Sequence, residues 1–275
     1  MSALSTSFIT DPLTNSFFVR GIIAAVLVMA GGGILGFGVI TRRYAYLGQG
    51  VSQSMLAGVA LGTIVGVGST IAAFIAAVTA AGLISRLGRV RGLGADASVA
   101  IVASAAMSVG VTVISADRSR AVNLNNLLFG NVLGVTWSEV AILGTAVVTA
   151  STFTLVQGRR LALASISPSV AQAHGINVRR LELMRLVTLS LVTAASVQIV
   201  GVTLVVAALV IPAAIASLFA RTLGASHLVA TWSGVLIAIL GLYLSFWFDV
   251  ASGPAVVMTG TALYAASLLG TGLRR

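Results

Sequence analysis

Long apolar runs separated by short polar segments are the feature that most constrains how this chain can fold. Runs of about 17 to 25 residues are long enough to cross a bilayer as helices. Nine such runs predict an all-α, polytopic transmembrane helical bundle of about nine spans, at 17–41, 49–67, 69–85, 97–115, 138–156, 184–200, 202–220, 228–247 and 253–270. Little more than glycine separates the second run from the third and the sixth from the seventh, so eight spans would also fit the pattern.

The composition leaves little room for another class of protein. Of the 275 residues, 58% are hydrophobic and only 8% are charged, and the mean hydropathy is +1.08. A soluble domain carries about 25% charged residues. A membrane β-barrel is built from alternating strands of about 10 residues, which are much shorter than these runs. We therefore expect residues 1–275 to form a single transmembrane domain in a lipid bilayer.

Every basic residue is an arginine, and the arginines lie in short clusters between the apolar runs. The cytoplasmic loops of membrane proteins are enriched in basic residues. An N-out, C-in arrangement places thirteen of the sixteen arginines inside, namely Arg42, Arg43, Arg86, Arg89, Arg91, Arg159, Arg160, Arg179, Arg180, Arg185, Arg221, Arg274 and Arg275. Only Arg20, Arg118 and Arg120 are then outside. The net charge of +10 therefore indicates membrane topology and not binding of nucleic acid.

Several kinds of chemistry are excluded by missing residue types. The chain has no Cys and no Lys, so it has neither thiolate chemistry nor a phosphate-binding loop of the GxxxxGK[ST] type. If ATP drives this protein, another chain must bind the ATP. The two histidines, His174 and His227, have no second ligand at metal-binding spacing, and we assign no metal ligand. The six acidic residues lie near span ends, which argues against a proton-driven carrier.

The second apolar run carries two amides, Gln49 and Gln53, with Ser52 and Ser54 beside them. Residues four apart lie on one face of a helix, and polar groups at membrane depth are costly and usually functional. One interpretation is that these four residues line a substrate pathway. The other is that they form interhelical hydrogen bonds, which contribute about 0.6 to 2 kcal/mol each.

The same run has a stripe of small residues at four-residue spacing: Ser54, Gly58, Gly62 and Gly66. Small residues allow two helix backbones to approach closely. We therefore expect Gly58, Gly62 and Gly66 to pack against a neighbouring helix and to place this span in the interior of the bundle.

Two connecting segments are long enough to have structure of their own, an outer loop at 116–137 and an inner segment at 157–185. The inner segment contains the signals of a short helix. Ser167 suits the N-cap, Pro168 the first helical position and Gly175 a left-handed C-cap. A helix of about 10 Å is not stable alone in water, so it needs a docking surface.

Five segments match, in order and spacing, motifs of one group of membrane proteins. RRYAYLGQGVSQSMLAGVALG, from Arg42, resembles RR-x-AYxGDAxSHAxLxGVALG, and LLFGNVLGV, from Leu127, resembles LLFGDxLxV. ISPSVAQAHGINV, from Ile166, resembles a DPxxAxAxGxxV helix. QIVGVTLVVAALVIPAAIA, from Gln198, and DVASGPAVVM, from Asp249, resemble xxVGxLLVxALLIIPAAxA and DxPSGPxIVL. The chain thus resembles the permease subunit of bacterial manganese, zinc and iron ABC importers, the ABC-3 metal permeases.

The resemblance implies a permease domain in a bacterial plasma membrane that is not itself an enzyme. A separate ATPase would bind ATP and Mg, an extracytoplasmic substrate-binding protein would deliver the substrate, and a second copy of the chain would complete a homodimer. The permease would bind no cofactor and would move a divalent metal ion by alternating access. The short inner helix would be a coupling helix that docks in the ATPase, formed by Ser167, Pro168, Ala171, His174 and Gly175.

The sequence departs from the family in the second span. The family commonly has Asp and His four residues apart, a pair suited to a divalent ion, where this chain has Gln49 and Gln53. Neutral amide oxygens are poor ligands for Zn²⁺ and minor ligands for Mn²⁺. A metal chelate or another small solute is therefore an alternative substrate. An ATP-independent carrier or a membrane scaffold is the alternative from another class.

Overall fold

The computed structural model describes residues 15–41, 44, 46–90, 93–116 and 134–272. Within these residues it contains eleven α-helices and no strand. The helices are α1 (Ser16–Thr41), α2 (Leu47–Val65), α3 (Ser69–Leu87), α4 (Ala95–Ala116), α5 (Trp137–Val156), α6 (Gly158–Ile166), α7 (Pro168–Ala173), α8 (Val178–Val200), α9 (Val202–Phe219), α10 (Leu223–Phe248) and α11 (Ser252–Gly272). Most of the predicted outer loop, 116–137, lies outside the described residues.

Eight helices in the described part of the chain are long and apolar enough to cross a membrane: α1, α3, α4, α5, α8, α9, α10 and α11. The second predicted span, α2, is a helix of 19 residues that contains two glutamines and two serines, and it is not among these eight candidate spans. Neighbouring helices bury most of α2. Polar residues within a bilayer are tolerated in the interior of a helical bundle. The prediction of an all-helical, polytopic membrane bundle is confirmed.

Helix α1 lies at the centre of one group of helices and packs against α5, α9 and α10. Its glycines allow backbones to approach each other. A Cβ at Gly32 would lie 2.5 Å from the carbonyl oxygen of Ala208 in α9, and a Cβ at Gly33 would lie 2.7 Å from that of Ala230 in α10. These approaches are too close for any side chain, so α1 fits between its neighbours only with glycine at these positions.

Helices α2, α3 and α4 form a second group, to which α8 connects. Helix α2 packs against both α3 and α4, and α8 packs against α2, α3 and α5. Gly58 and Gly62 lie at the contact between α2 and α3. A Cβ at Gly62 would lie 2.5 Å from the Cβ of Ala72, and a Cβ at Gly58 would lie 2.6 Å from the Ala72 carbonyl oxygen. The small-residue stripe of α2 therefore faces α3.

Gly66 differs from the rest of that stripe. It adopts a φ of +77°, a left-handed conformation that favours glycine, and its N–H donates to the carbonyl of Gly62. A Cβ at Gly66 would meet no described atom within 4 Å. Gly66 therefore ends α2. We predicted that it packs against a neighbouring helix, but no described helix lies close enough. Gly201, with a φ of +80°, similarly separates α8 from α9.

The inner segment 157–185 is more helical than its sequence suggests. Helix α6 precedes the predicted short helix, which is α7. Helix α8 begins at Val178, where the side chain of Asn177 accepts a hydrogen bond from the N–H of Arg180 (3.0 Å). Residues 178–185 thus belong to the first turns of a candidate span. The apolar run begins later than the helix because charged residues occupy these turns.

We expect Gly62→Leu to destabilise the folded protein, because the new side chain would have to enter space that Ala72 occupies. Overpacking of this kind costs about 1–3 kcal/mol, which lowers the unfolding midpoint by about 2–10 °C in a protein of this size. Thermal unfolding in detergent measures the effect. Gly82→Leu in α3 is the matched control, because a Cβ there meets no described atom within 4 Å. Equal midpoints for the two variants would contradict the close contact.

Candidate functional site

The two amides that we predicted to line a pathway lie on one face of α2, in its first two turns. Gln49 is exposed and Gln53 is half-buried in the isolated protomer, and we call this surface the amide face. Ser52 and Ser54 are buried, and their hydroxyls donate to backbone carbonyls one turn earlier (2.6 and 2.9 Å). Ser54 lies about 100° from Gln53 around the helix, and Ser52, although it is three residues from Gln49, is covered by neighbouring helices. The structure thus brings together the two amides but not all four predicted residues.

Neighbouring helices cover the other faces of α2. Helix α3 lies against Gly58 and Gly62, α4 lies against Gly50 and α9 lies against Gly48. Among the described residues of the first two turns of α2, Gln49 is exposed and Gln53 half-buried, whereas the others are buried.

The amide face begins beside the middle of α9 and not beside its end. A Cβ at Gly48 would lie 3.3 Å from the side chain of Leu209. Helix α9 continues for ten residues beyond Leu209 to Phe219, which is about 15 Å at 1.5 Å per residue. Gln49 and Gln53 therefore lie well inside the thickness of the bundle.

Lipid chains offer no hydrogen-bond partners to exposed amide side chains at this depth. An amide that has no hydrogen-bond partner in an apolar medium costs about 2–7 kcal/mol, so the amide face must meet water, a substrate or another polypeptide. In the part of the chain that the structure describes, no three His, Cys, Asp or Glu residues are grouped so that they could hold a metal ion. The amide face therefore offers neutral hydrogen-bonding groups and not a charged metal cage.

The short helix α7 has the ends that its sequence predicts. The Ser167 hydroxyl accepts a hydrogen bond from the N–H of Val170 (3.4 Å), and Pro168 is the first helical residue. At the other end, Gly175 has a left-handed φ of +73°. The helix ends at Ala173, one residue earlier than expected. These local features are confirmed because caps depend on residues within one turn of the helix end.

A small apolar core holds α7 against the rest of the protein. Its buried part is formed by Ala164 of α6, Ala171 of α7 and Leu181 of α8. Ala171 is 0% exposed, so its side chain packs inside this chain, although we predicted it among the docking residues. The His174 ring lies against the carbonyl of Val170 (2.9 Å) at the end of its own helix. The solvent-exposed side of α7, which faces away from the rest of the chain and which we call its outward side, carries Ser169, Val170, Gln172 and His174.

Nearly the whole chain matches known transporters. The profile of the ABC 3 transport family matches residues 14–271. The chain belongs to this family. Similarity to a manganese transport system membrane protein also extends over almost the full length of both aligned sequences. The resemblance that rested on five motifs is therefore confirmed.

Individual relatives agree with this assignment. The permease is similar to the manganese transport system membrane protein MntC of Halalkalibacterium halodurans, with 35% identity over 94% of this chain and 89% of that protein. It is similar to the high-affinity zinc uptake system membrane protein ZnuB of Haemophilus influenzae, with 32% identity over 85% and 90%. Its structure resembles PsaBC from Streptococcus pneumoniae, solved in complex with a Fab, with a TM-score of 0.79, 28% identity and coverage of 95% and 94%.

This ABC-3 permease is the membrane subunit of an ABC importer, a multi-pass protein of a bacterial transport system, and it is not the ATPase. Membership of the family implies an ATPase and a substrate-binding protein as partners.

Arg185 of the permease is a buried residue. From the sequence we counted it only among the cytoplasmic arginines and did not predict its contacts. It lies in α8, is 5% exposed and pairs with Glu182 (Nη2 to Oε1, 3.0 Å). Its Nη1 donates to the backbone carbonyl of Gly38 in α1 (3.0 Å), and its guanidinium carbon lies 5.5 Å from the centre of the Tyr44 ring. The sequence signal for this group was a Glu and an Arg three residues apart at the start of a spanning helix.

Proposed function

We propose that this permease moves a divalent transition-metal ion, Mn²⁺, Zn²⁺ or Fe²⁺, into the cytoplasm by alternating access. The observation that carries the proposal is full-length similarity to membrane proteins named for manganese transport and zinc uptake. The eight candidate spans and the uncovered amide face of α2 support it. ATP and Mg²⁺ bound to the partner ATPase drive the cycle.

A second copy of the permease completes the pathway. Two protomers related by a two-fold axis present the same surface to each other, so two amide faces can enclose one polar channel. This arrangement accounts for the exposure of Gln49 and Gln53 in the single protomer, because lipid could not satisfy them.

The inner end of the bundle carries the contact with the ATPase. Helix α7 docks in a groove of that partner through its outward side, where Val170 is 43% exposed. An N-out, C-in orientation places α7 and the arginine pairs 159–160 and 179–180 on the cytoplasmic side, in agreement with the positive-inside rule.

The amide face provides a weak binding point along the pathway. The carbonyl oxygens of Gln49 and Gln53 can accept hydrogen bonds from the water shell of an ion or bind Mn²⁺ as neutral ligands. Zn²⁺ is held more strongly by His or Cys, so selectivity resides with the substrate-binding protein. The neutral amides also favour a second candidate substrate, a metal chelate, because a chelate needs hydrogen bonds and no further ligands.

Uptake by the reconstituted importer tests the proposal. Proteoliposomes with the permease, its ATPase and its substrate-binding protein receive Mn²⁺, Zn²⁺ or Fe²⁺, each as the free ion or in an organic chelate. We expect ATP-dependent uptake of a free ion and none by vesicles that lack the permease. Uptake of the chelate alone would establish the second candidate. Uptake that does not depend on ATP would contradict both.

A further inference from the structure

Arg185 joins three parts of the chain near the start of α8. Its Nη1 donates to the carbonyl of Gly38 near the end of α1, and its Nη2 donates to Glu182 one turn earlier in α8 (3.0 Å each). Its guanidinium carbon lies 5.5 Å from the centre of the ring of Tyr44, which precedes α2. The Arg185 side chain is 6% exposed, so these contacts are shielded from solvent.

The turn of α8 that carries Arg185 is linked to α7 by side-chain packing. Leu181 lies one turn before Arg185 and so shares its face of α8. Leu181 packs in the small apolar core with Ala171 of α7 and Ala164 of α6. This core joins α6, α7 and the first turns of α8 into one unit. A displacement of α7 is therefore passed to the turn of α8 that carries Arg185.

The group is also connected to the amide face. Tyr44 is 6% exposed. Its N–H donates to the carbonyl of Val39 in α1, and its carbonyl accepts from the N–H of Leu47, the first residue of α2 (2.9 Å each). Gln49 follows two residues later. The position of the Tyr44 ring is thus tied to the point at which α2 begins.

We propose that Arg185 is a positioning residue that transmits the movement of α7 to the amide face through Gly38 and Tyr44. The inference rests on the proposed function, because it takes α7 as the helix that docks in the ATPase and the amide face as part of the pathway. Arg185 itself does not contact the substrate. It makes α1, α8 and Tyr44 move together.

The chemistry of the side chain suits this task. A guanidinium is rigid and planar, and it can donate in two directions while its flat surface lies over an aromatic ring. The ammonium of a lysine has none of this planarity. The guanidinium lies directly against α1 at this point, since a Cβ at Gly38 would be in contact with Nη1 of Arg185 at 3.4 Å.

The test uses the assembled importer in proteoliposomes, with Mn²⁺ as the transported ion. Three quantities are measured: ATP hydrolysis stimulated by the substrate-binding protein, Mn²⁺ taken up per ATP, and movement at the start of α2. The natural chain has no cysteine. The thiol introduced by Tyr46→Cys, at a position that is 60% exposed just before α2, therefore reports movement through its rate of labelling by a maleimide.

With Arg185 in place, trapping the ATPase with ATP and vanadate should change the labelling rate. In Arg185→Gln, ATP hydrolysis should stay within about twofold of the unmodified importer, whereas Mn²⁺ uptake per ATP should fall about tenfold. The nucleotide should then no longer change the labelling rate. Arg185→Lys, which keeps the charge but loses the planar, forked arrangement of donors, should lie between the two.

Unchanged uptake per ATP in Arg185→Gln would overturn the proposal. An equal loss of hydrolysis and uptake would overturn it too, because damage to folding lowers both together. If Arg185→Gln yields no folded complex, Tyr44→Leu tests the same connection from the side of α2, and Tyr44→Phe, which keeps the ring, is its control. Val170→Arg tests the docking of α7 separately. Full activity of that variant would refute the coupling role of α7, whatever the Arg185 variants do.

Discussion

Val170→Arg should abolish ATP-dependent uptake by the assembled importer while the permease still folds and enters the membrane. Val170 is 43% exposed on the outward side of α7, so an arginine there can extend into solvent without entering the small apolar core. Docking of this surface would bury the new guanidinium without a partner, at a cost of about 3–5 kcal/mol. We therefore expect uptake and stimulated ATP hydrolysis to fall by about 100-fold or more.

Two variants separate docking from folding. Val90→Arg adds the same side chain at an exposed apolar position (54%) outside α7. Val90 follows Arg89, which lines a depression together with Arg179 at the start of α8. This variant should retain uptake. Ala171→Arg adds it inside the small apolar core and should lower the yield of folded permease. Normal uptake with Val170→Arg would remove α7 from the contact with the ATPase.

Gln49→Ala combined with Gln53→Ala should lower uptake without changing the unfolding midpoint. Each amide that exchanges hydrogen bonds with the substrate contributes about 0.5–1.5 kcal/mol, which predicts a loss of about 5- to 100-fold for the pair. Little packing within the protomer is lost, because Gln49 is exposed and Gln53 only half-buried. Initial rates of Mn²⁺ uptake over a range of concentrations measure the effect.

Ser54→Ala is the matched control on the same helix. Its hydroxyl donates to the Gly50 carbonyl within α2 (2.9 Å), away from the amide face, so uptake should be normal. The opposite test adds metal ligands to the amide face. Gln49→Asp combined with Gln53→His places a carboxylate and an imidazole on one helix face. This pair should bind the ion more tightly and slow its release if the amide face lines the pathway. Normal uptake by the double alanine variant would make both amides packing residues.

Features with a local cause could be predicted from the sequence. The apolar runs predicted the helices, because a run long enough to span a bilayer must satisfy its own backbone hydrogen bonds. The ends of α7 at Ser167 and Gly175 followed from cap chemistry within a single turn. The spacing of Gln49 and Gln53 placed them on one helix face, as the structure does.

Features that depend on neighbouring helices could not be predicted in the same way. Ser52 and Ser54 are adjacent to the amides in sequence, but neighbouring helices bury both serines, and their hydroxyls donate to carbonyls of α2 itself. Ala171 sits in the middle of an outward helix, yet its own side chain faces the small apolar core. Gly66 continues a packing stripe by its spacing, but no described atom lies near enough to pack against it.

The sequence by itself therefore determined an all-helical membrane permease with a polar pair in its second helix and a capped short helix between α6 and α8. Only the tertiary structure decided which face of each helix is covered and which is open, because burial depends on which helices approach each other. Arg185 shows the difference most directly. It meets the Gly38 carbonyl across 147 positions of sequence, and no local pattern specifies a contact that forms only when α1 and α8 pack together.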